Sequence, residues 1–248
     1  MKTLIKKIIN KFGYKISRVS KKFELINFDE LLKEKIKKEN PIIFDVGGNT
    51  GSSIKKFKQI FNKPIIHSFE PNKEVYKVME KNYQNDSQVF CNNFALGNII
   101  EEKNFNIMAS SGKSSFYKIN NNVDWTKNRK FATSIISTEK VKINTVDNYL
   151  KENKIDYIDF MKLDTQLYED KILEGSLNSL KNNKIKIIVV EVIFNDYYEK
   201  YFTFSDIEKY LIPNKFRMVG IDLMNNNILK GSLFGADVYY FNKNYFEV

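Results

Sequence analysis

The sequence predicts an α/β fold in which helices cover both faces of a mostly parallel sheet. From Pro41 onward, short runs rich in β-branched residues alternate with segments whose apolar residues recur at helical spacing, which is typical of strand–helix–strand crossovers. The 248 residues are enough for one sizeable core, and no proline- or glycine-rich linker divides them. We therefore expect one main domain over residues 41–248, preceded by accessory helices in residues 1–40.

The elements follow in chain order from this alternation. Residues 4–12 form a basic amphipathic helix, and residues 28–38 form a second helix before Pro41. Beyond Pro41 the pattern predicts strands at 42–46, 65–69, 89–91, 157–163 and 185–192, with helices at 52–61, 72–85 and 168–180. Residues 101–142 disturb the alternation, so we interpret them as an insertion over the sheet. After one more helix, residues 216–223 and 236–241 close the chain as an antiparallel pair of strands.

Composition excludes several classes of protein. The longest apolar runs, such as residues 185–192, are far shorter than the ~20 residues that span a bilayer, so we do not expect a membrane-spanning protein. Residues 1–18 are basic and lack the apolar core and cleavage site of a secretory signal, so a cytoplasmic protein is expected. Cys91 and His67 are the single cysteine and histidine, which excludes a disulfide framework and leaves no histidine–cysteine zinc site.

The formal net charge of +10 favours an anionic partner only weakly. Arg18, Arg129 and Arg217 are the only arginines among 40 basic residues, so the side chain best suited to reading bases is scarce, and we expect no nucleic-acid partner. The basic helix at residues 4–12 has two interpretations. It either packs on the domain, which we favour, or rests on an anionic membrane surface.

A glycine-rich turn follows the first predicted strand. Residues 45–51 read Asp-x-Gly-x-Asn-x-Gly, and glycines at such a turn let bare backbone approach a ligand. The spacing differs from the glycine patterns of dinucleotide sites and P-loops. S-adenosylmethionine suits the turn better, because it has no phosphates and carries a charged amino-acid end and a sulfonium. The alternative is a tight turn that binds nothing.

An acidic residue at the end of the second predicted strand adds to this signal. Glu70 lies 25 residues after Asp45 (70 − 45), close to the ~20 expected for an acid that accepts hydrogen bonds from a ribose. His67 lies inside the same strand, so we interpret it as a buried structural residue and not a catalytic one.

At this point the chain resembles the FkbM-type methyltransferases, which use S-adenosylmethionine. The resemblance covers about residues 41–243 and rests on an ordered series of segments: DVGGNTG at 45–51, FEPN at 69–72, NFALGN at 93–98, SS at 114–115, TVDNYL at 145–150, KLDTQ at 162–166 with Glu169 and Gly175, and DVYYFNK at 237–243. It implies the class I methyltransferase fold, a seven-stranded sheet of order 3-2-1-4-5-7-6 whose seventh strand is antiparallel. Leu167 departs from the family, which usually has glycine there.

The resemblance also implies cofactor-binding roles around the glycine-rich turn. Gly47, Asn49 and Gly51 would line the methionine part of S-adenosylmethionine. Asp45 would hold the amino group directly or through water, and Glu70 would hold the ribose.

Two further groups of residues are candidates at the carboxyl edge of the sheet. Asn92 and Asn93 are alternatives for the adenine edge. Asp164 ends the fourth strand and Glu191 the fifth, and either could be the general base that removes a hydroxyl proton. Alternatively, Asp164 caps the following helix, or Asp164, Glu191 and Asn195 bind Mg²⁺ through oxygen, a hypothesis that we rank below the others.

The family resemblance implies O-methylation, often of a hydroxyl on a sugar, a glycan precursor or a natural product. We expect the insertion to cover the acceptor, with Tyr117, Trp125, Tyr197 and Tyr198 as aromatic faces that either stack on a sugar or simply pack in the protein. One alternative is a nucleic-acid methyltransferase, but the chain has no Asn-Pro-Pro-aromatic motif beside a base pocket. The other is a cofactor-binding module without activity, which only Leu167 favours.

Overall fold

The computed structural model describes residue 11 and residues 27–123, 133–223 and 234–247. The predicted helix at residues 4–12 lies outside these ranges apart from Lys11, and so does Trp125, so the membrane contact of that helix stays a prediction. Within the described part of the chain, no helix combines the length and the apolar character needed to cross a membrane.

Ten strands and seven α-helices are described, and we number each kind in chain order. The strands are β1 (Ile42–Val46), β2 (Ile65–Phe69), β3 (Val89–Asn92), β4 (Ala95–Leu96), β5 (Glu101–Met108), β6 (Ile135–Asn144), β7 (Ile158–Leu163), β8 (Ile185–Ile193), β9 (Phe216–Leu223) and β10 (Gly235–Asn242). The helices are α1 (Phe28–Lys35), α2 (Ser52–Ile60), α3 (Lys73–Tyr83), α4 (Val146–Glu152), α5 (Glu169–Glu174), α6 (Leu177–Lys181) and α7 (Phe204–Leu211).

The main sheet has seven strands in the order β3-β2-β1-β7-β8-β10-β9. Counted along the chain among these seven alone, the order is 3-2-1-4-5-7-6. Only β10 runs against its neighbours β8 and β9, while the other pairs are parallel. The predicted fold class and strand order are confirmed. The parallel strands therefore end at one edge, where the turns after β1, β2 and β7 meet.

Residues of the predicted insertion form most of a second, three-stranded sheet of order β4-β6-β5. β6 pairs antiparallel with β5 and parallel with the short β4, which precedes the insertion in the chain. Ser115 also bridges to Asn106 of β5 and so attaches the loop after β5 to this sheet.

Two apolar clusters cover the faces of the main sheet. Along β8, Ile187 and Val189 belong to the cluster under α1, α2 and α3, whereas Ile188 and Val190 belong to the cluster under α4 to α7. This alternation follows from the two-residue period of a strand. Both faces are buried, as expected of a parallel sheet.

The single helix predicted over residues 168–180 is wrong, because the structure divides it into α5 and α6. A Cβ atom on Gly175 would lie 1.9 Å from the carbonyl oxygen of Gly97, so the two backbones touch at the break. Asp147 of α4 then accepts hydrogen bonds from the backbone N–H groups of Asn178 and Ser179, at 2.9 and 2.8 Å, and so caps the start of α6. Both contacts join segments that are distant in sequence.

Candidate active site

A cavity of about 290 Å³ lies at the edge where the parallel strands end. Its walls come from the turn after β1, the end of β2, β4, the insertion and the segment after β7. The lining residues are Val46, Gly47, Gly48, Asn49, Thr50, Ser52, Ser53, Phe69, Glu70, Pro71, Ala95, Leu96, Phe105, Ser111, Gly112, Ser114, Phe116, Asp164, Thr165, Gln166 and Tyr168. The position agrees with the general rule that ligands of open α/β sheets bind at the carboxyl ends of the strands.

Neighbouring protein atoms leave no room for a side chain at the glycines of the turn after β1. Gly47 has φ +90°, and a Cβ atom there would lie 1.9 Å from the carbonyl oxygen of Asp164. A Cβ atom on Gly48 would lie 2.0 Å from Ser68 Oγ. Gly51 has φ +88° and faces the Tyr83 ring, and it is not among the described residues that line the cavity. The turn is therefore glycine-rich because it packs against its own protein, while the backbone of residues 47 and 48 lines the cavity.

Asn49 and Glu70 meet at the cavity wall. The backbone N–H of Asn49 donates to Glu70 Oε2 at 3.0 Å, and the N–H of Asn72 donates to Oε1 at 2.8 Å. Burial raises the pKa of the Glu70 carboxyl to about 7, although both hydrogen bonds act in the opposite direction. Each carboxylate oxygen keeps a further lone pair, so Glu70 can still accept hydrogen bonds from a ligand hydroxyl.

Asp45 lies beneath the turn, fully buried, and does not line the cavity within the described residues. Ser68 Oγ donates to its Oδ2 at 2.9 Å, whereas Oδ1 has no hydrogen-bond partner in the described part of the chain. Burial raises the pKa of the Asp45 carboxyl. Its contact with the amino group of a cofactor stays a prediction.

The side-chain amides of Asn92 and Asn93 hold the backbone near the end of β2. Asn92 Nδ2 donates to the carbonyl oxygens of Ser68 and Phe90, at 3.2 and 3.0 Å. Asn93 Nδ2 donates to the carbonyl of Glu70 at 2.9 Å. Neither asparagine is among the described lining residues, so the adenine role of either one stays a prediction.

Asp164 and Glu191 lie within hydrogen-bond distance of each other, and one further side chain contacts both. Gln166 Nε2 lies 3.2 Å from Asp164 Oδ1 and 2.6 Å from Glu191 Oε2. The other oxygen of Asp164 accepts from Lys162 Nζ at 2.6 Å. Asp164 and Gln166 line the cavity, whereas Glu191 is half-buried and is not among the described lining residues. Helix α5 starts at Glu169 with Tyr168 at its N-cap position, so Asp164 does not cap it.

The two carboxyl groups have opposite pKa shifts. Burial alone would raise the pKa of Asp164, but the Lys162 ammonium and the hydrogen bonds to the carboxylate outweigh it and hold this pKa below its usual range. Burial and the negative charge of Asp164 raise the pKa of Glu191 well above its usual range. Lys162 also bears on the Mg²⁺ hypothesis, because its ammonium already neutralises Asp164, while Asn195 Nδ2 donates to the Phe234 carbonyl at 3.5 Å. Nothing in this arrangement supports a bound Mg²⁺.

The aromatic side chains around the cavity differ from those predicted. Tyr197 and Tyr198 are buried in the core, each 1% exposed, so they do not offer an open face to a sugar. Phe116 and Tyr168 line the cavity instead, with ring centroids 4.2 Å apart. Neither residue was predicted from the sequence, and the bridging position of Gln166 was not predicted either. The SS and KLDTQ segments marked the right regions, but no periodicity distinguished these side chains.

The cavity suits S-adenosylmethionine chemically. Phe69, Ala95 and Leu96 supply apolar surface for a base, and the Glu70 carboxylate supplies an acceptor for ribose hydroxyls. Asp164 and Gln166 supply polar groups at the wall formed by the segment after β7.

Several solved structures show a similar course of the chain at low identity. One is a magnesium protoporphyrin IX methyltransferase from Synechocystis PCC 6803 with bound SAM, at 10% identity over 97% of this chain and 96% of that chain, with a TM-score of 0.45. Another is an rRNA methylase from Streptococcus thermophilus, at 8% identity over 87% of this chain and 93% of that chain, with a TM-score of 0.47. A third is TrmK from M. capricolum in complex with S-adenosyl-homocysteine, at 13% identity over 90% of this chain and 70% of that chain, with a TM-score of 0.42. Similarity at this level carries no conclusion about the acceptor.

A comparison with curated proteins finds no match. The family comparison is decisive, because residues 45–218, more than half of the chain, match the methyltransferase FkbM domain. This span contains the glycine-rich turn, Glu70, Asp164, Gln166 and Glu191. The chain therefore belongs to the FkbM methyltransferase family and is an S-adenosylmethionine-dependent methyltransferase.

Proposed function

We propose that this enzyme methylates a hydroxyl oxygen of a sugar or glycan precursor. The observation that carries the proposal is the bridged pair of Asp164 and Glu191 beside the cavity that contains Glu70. A hydroxyl must lose its proton as its oxygen is methylated, and a carboxylate at hydrogen-bond distance can accept that proton. S-adenosylmethionine, when bound, supplies an activated methyl group on its sulfonium.

The opposite pKa shifts give the two carboxyls different roles. Asp164 stays ionised beside Lys162, and its charge makes Glu191 the stronger proton acceptor of the pair. Glu191 is therefore our candidate for the general base. Asp164, which lines the cavity, would orient the acceptor hydroxyl.

The insertion supports a carbohydrate acceptor. Ser111 and Ser114 bring hydroxyl groups to the cavity wall, and Phe105 and Phe116 bring aromatic rings. Sugars present both hydroxyl groups and apolar C–H faces, so a wall of this mixed kind suits them. The family resemblance points to the same class of acceptor.

The replacements Glu191→Gln and Asp164→Asn test the roles of the acids. We expect turnover to fall by ~100-fold or more for Glu191→Gln, with cofactor affinity nearly unchanged, because the base is lost and Glu70 is intact. The assay is mass spectrometry of sugar and glycan mixtures incubated with the enzyme and S-adenosylmethionine, read as a gain of one methylene mass. Asp156→Asn, which replaces an exposed acid, is the matched control and should leave turnover unchanged.

Three outcomes contradict the proposal. Full activity in both acid variants means that the acceptor needs no base from these residues. Methylation of RNA in the same screen, without any methylated glycan, replaces the sugar acceptor with a nucleic acid. Tight cofactor binding with no transfer to any acceptor favours a binding module.

The role of Glu70 is tested through the pH dependence of cofactor binding. Its carboxyl loses its proton near pH 7, and the ionised form accepts hydrogen bonds from ribose hydroxyls. Affinity for S-adenosylhomocysteine should therefore rise with pH in calorimetry from about pH 5.5 to about pH 8.5. Glu70→Gln should bind more weakly by ~1.5–3 kcal/mol at the upper end and show little pH dependence. An equal pH dependence in Glu70→Gln would remove Glu70 from the ribose site, and the exposed Glu74→Gln serves as control.

A further inference from the structure

Every polar group of the Gln166 side chain has a partner. Its Nε2 bridges Asp164 and Glu191, and its Oε1 accepts from the Tyr198 hydroxyl at 2.8 Å. Because the Asp164 carboxylate is held ionised and can only accept, the amide is oriented with Nε2 toward the two acids and Oε1 toward the Tyr198 hydroxyl. Tyr198 itself is buried and lies within 3.1 Å of the Lys113 carbonyl in the insertion.

The backbone at Gln166 is held in an unusual conformation. Gln166 and Leu167 have φ +58° and +76°, and two successive non-glycine residues in the left-handed region are strained. Two other segments hold them there. Ser115 Oγ donates to the Gln166 carbonyl at 2.6 Å, and Lys200 Nζ donates to the Leu167 carbonyl at 3.2 Å.

These contacts connect the insertion to the acids. Ser115 is fully buried and exchanges two backbone hydrogen bonds with Asn106 of β5, so the position of the Gln166 carbonyl follows the second sheet. The Gln166 side chain then places Glu191 against Asp164. Gln166 itself precedes α5, which begins at Glu169.

We infer that Gln166 is a positioning residue for the reaction, which holds the Glu191 carboxyl beside Asp164 and takes its own position from the insertion through Ser115 and from Tyr198. This inference rests on the proposed base role of Glu191. Gln166 acts through the acids and transfers no proton itself, since an amide neither gains nor loses one near neutral pH.

The test measures the titration of Glu191 directly, in the full chain without cofactor or acceptor. Carbon-13 NMR of labelled glutamate carboxyls follows the pH titration, and Glu191→Gln identifies the signal by removing it. The groups that face or influence Glu191 are Asp164 and Lys162 at the end of β7, Glu169 of α5, Asp237 of β10, and Tyr198. All of them are retained in Gln166→Ala.

We expect Gln166→Ala to move the Glu191 titration to higher pH, because the ionised carboxyl loses the N–H group that lies 2.6 Å away. Ser115→Ala and Tyr198→Phe should move it in the same direction by less, since each frees Gln166 without touching either acid. The control is Gln88→Ala, whose amide binds the Lys63 carbonyl far from the site and should leave the titration unchanged.

Kinetics with an identified acceptor give the second measurement. Gln166→Ala should lower kcat by about tenfold or more and shift the acid limb of the pH profile upward, whereas Ser115→Ala, which removes no lining residue, should shift the acid limb in the same direction by less. An unmoved Glu191 titration in a folded Gln166→Ala protein overturns the inference. If that variant does not fold, an unmoved titration in both Ser115→Ala and Tyr198→Phe overturns it.

The two proposals fail in different ways. Unchanged turnover in Glu191→Gln and Asp164→Asn removes the base hypothesis itself. A large loss in Glu191→Gln together with unchanged kcat and pH profile in Gln166→Ala removes only the positioning role of Gln166.

Discussion

Leu167 has a backbone conformation that is unfavourable for leucine, and its side chain is buried in the core. Its φ of +76° is one that glycine adopts freely, and its side chain is nevertheless 2% exposed within the main apolar cluster. The buried side chain therefore offsets an unfavourable backbone conformation at this position. The left-handed conformation costs ~1–2 kcal/mol, less than the ~2–5 kcal/mol lost when a buried leucine is truncated to alanine.

Two variants separate these contributions. Leu167→Ala should destabilise the protein by ~2–5 kcal/mol, because it removes the buried side chain and keeps the strained φ. Leu167→Gly should be more stable than Leu167→Ala by roughly 1 kcal/mol, since glycine relieves the strain. Urea unfolding measures both.

Leu150, buried in α4, is the matched control, and there glycine should be less stable than alanine by roughly 1 kcal/mol. If the glycine variant were less stable than the alanine variant at position 167 as well as at position 150, the result would contradict backbone strain at Leu167.

Single residues also mark the limit of what the sequence could predict about the site. The positions of Glu70 and Asp164 at the cavity could be predicted because acids at the ends of parallel strands meet at one edge of the sheet, while the roles of Glu70, Asp164 and Glu191 stay predictions. The bridge through Gln166 could not, because its partners come from β7, β8, the insertion and the segment after β8. Such a meeting has no signature in local spacing.

At the scale of elements, strands were predicted more closely than helices. The bounds of β1, β2 and β9 agree residue for residue with the β-branched runs, because each run is short and ends at a polar or turn-forming residue. The division between α5 and α6 was missed because helical spacing continues across Gly175. Its cause is the contact with Gly97, which lies far away in the sequence.

Gly175→Ala tests that contact. The added Cβ atom would lie 1.9 Å from the Gly97 carbonyl oxygen, a backbone atom that cannot rotate away, so Gly175 and Gly97 must move apart. We expect a loss of ~1–3 kcal/mol or more in the free energy of unfolding, as for other overpacked sites. Gly112→Ala is the control, since its nearest neighbour, Asn49 Nδ2, would be 3.4 Å away, and the two variants should differ clearly in thermal unfolding. Equal stability of the two variants would contradict the close contact.

For the whole molecule, buried ionisable groups should dominate the pH dependence of stability. Burial raises the pKa values of Glu70 and Glu169 to about 7, and it lowers that of His67 to about 4. A raised carboxyl pKa makes the folded state lose stability as pH rises from the unfolded value near 4.5 through 7. The lowered histidine pKa has the opposite effect, since stability is lost as pH falls from 6.5 through 4. Composition alone does not reveal these shifts, because they depend on burial.

Glu169 is the clearest case, because it is fully buried and lies outside the cavity wall. Its Oε1 accepts hydrogen bonds from Thr165, at 2.6 Å from the backbone N–H and 2.9 Å from Oγ1, while Oε2 has no partner among the described residues. Ionising this carboxyl is therefore costly. Glu169→Gln should equal the wild type in stability near pH 4.5 and exceed it increasingly up to pH 8, by on the order of 3 kcal/mol.

The measurement is urea unfolding of both proteins across this pH range, with the exposed Glu102→Gln as control. The control should follow the wild type at every pH, because its carboxyl is solvated in both states. A Glu169→Gln curve that also runs parallel to the wild type would show that Glu169 titrates normally. In that case the loss of stability above pH 4.5 would have to come from other buried carboxyls with raised pKa values, such as Glu70 and Glu191, and Glu191→Gln would be expected to reduce it.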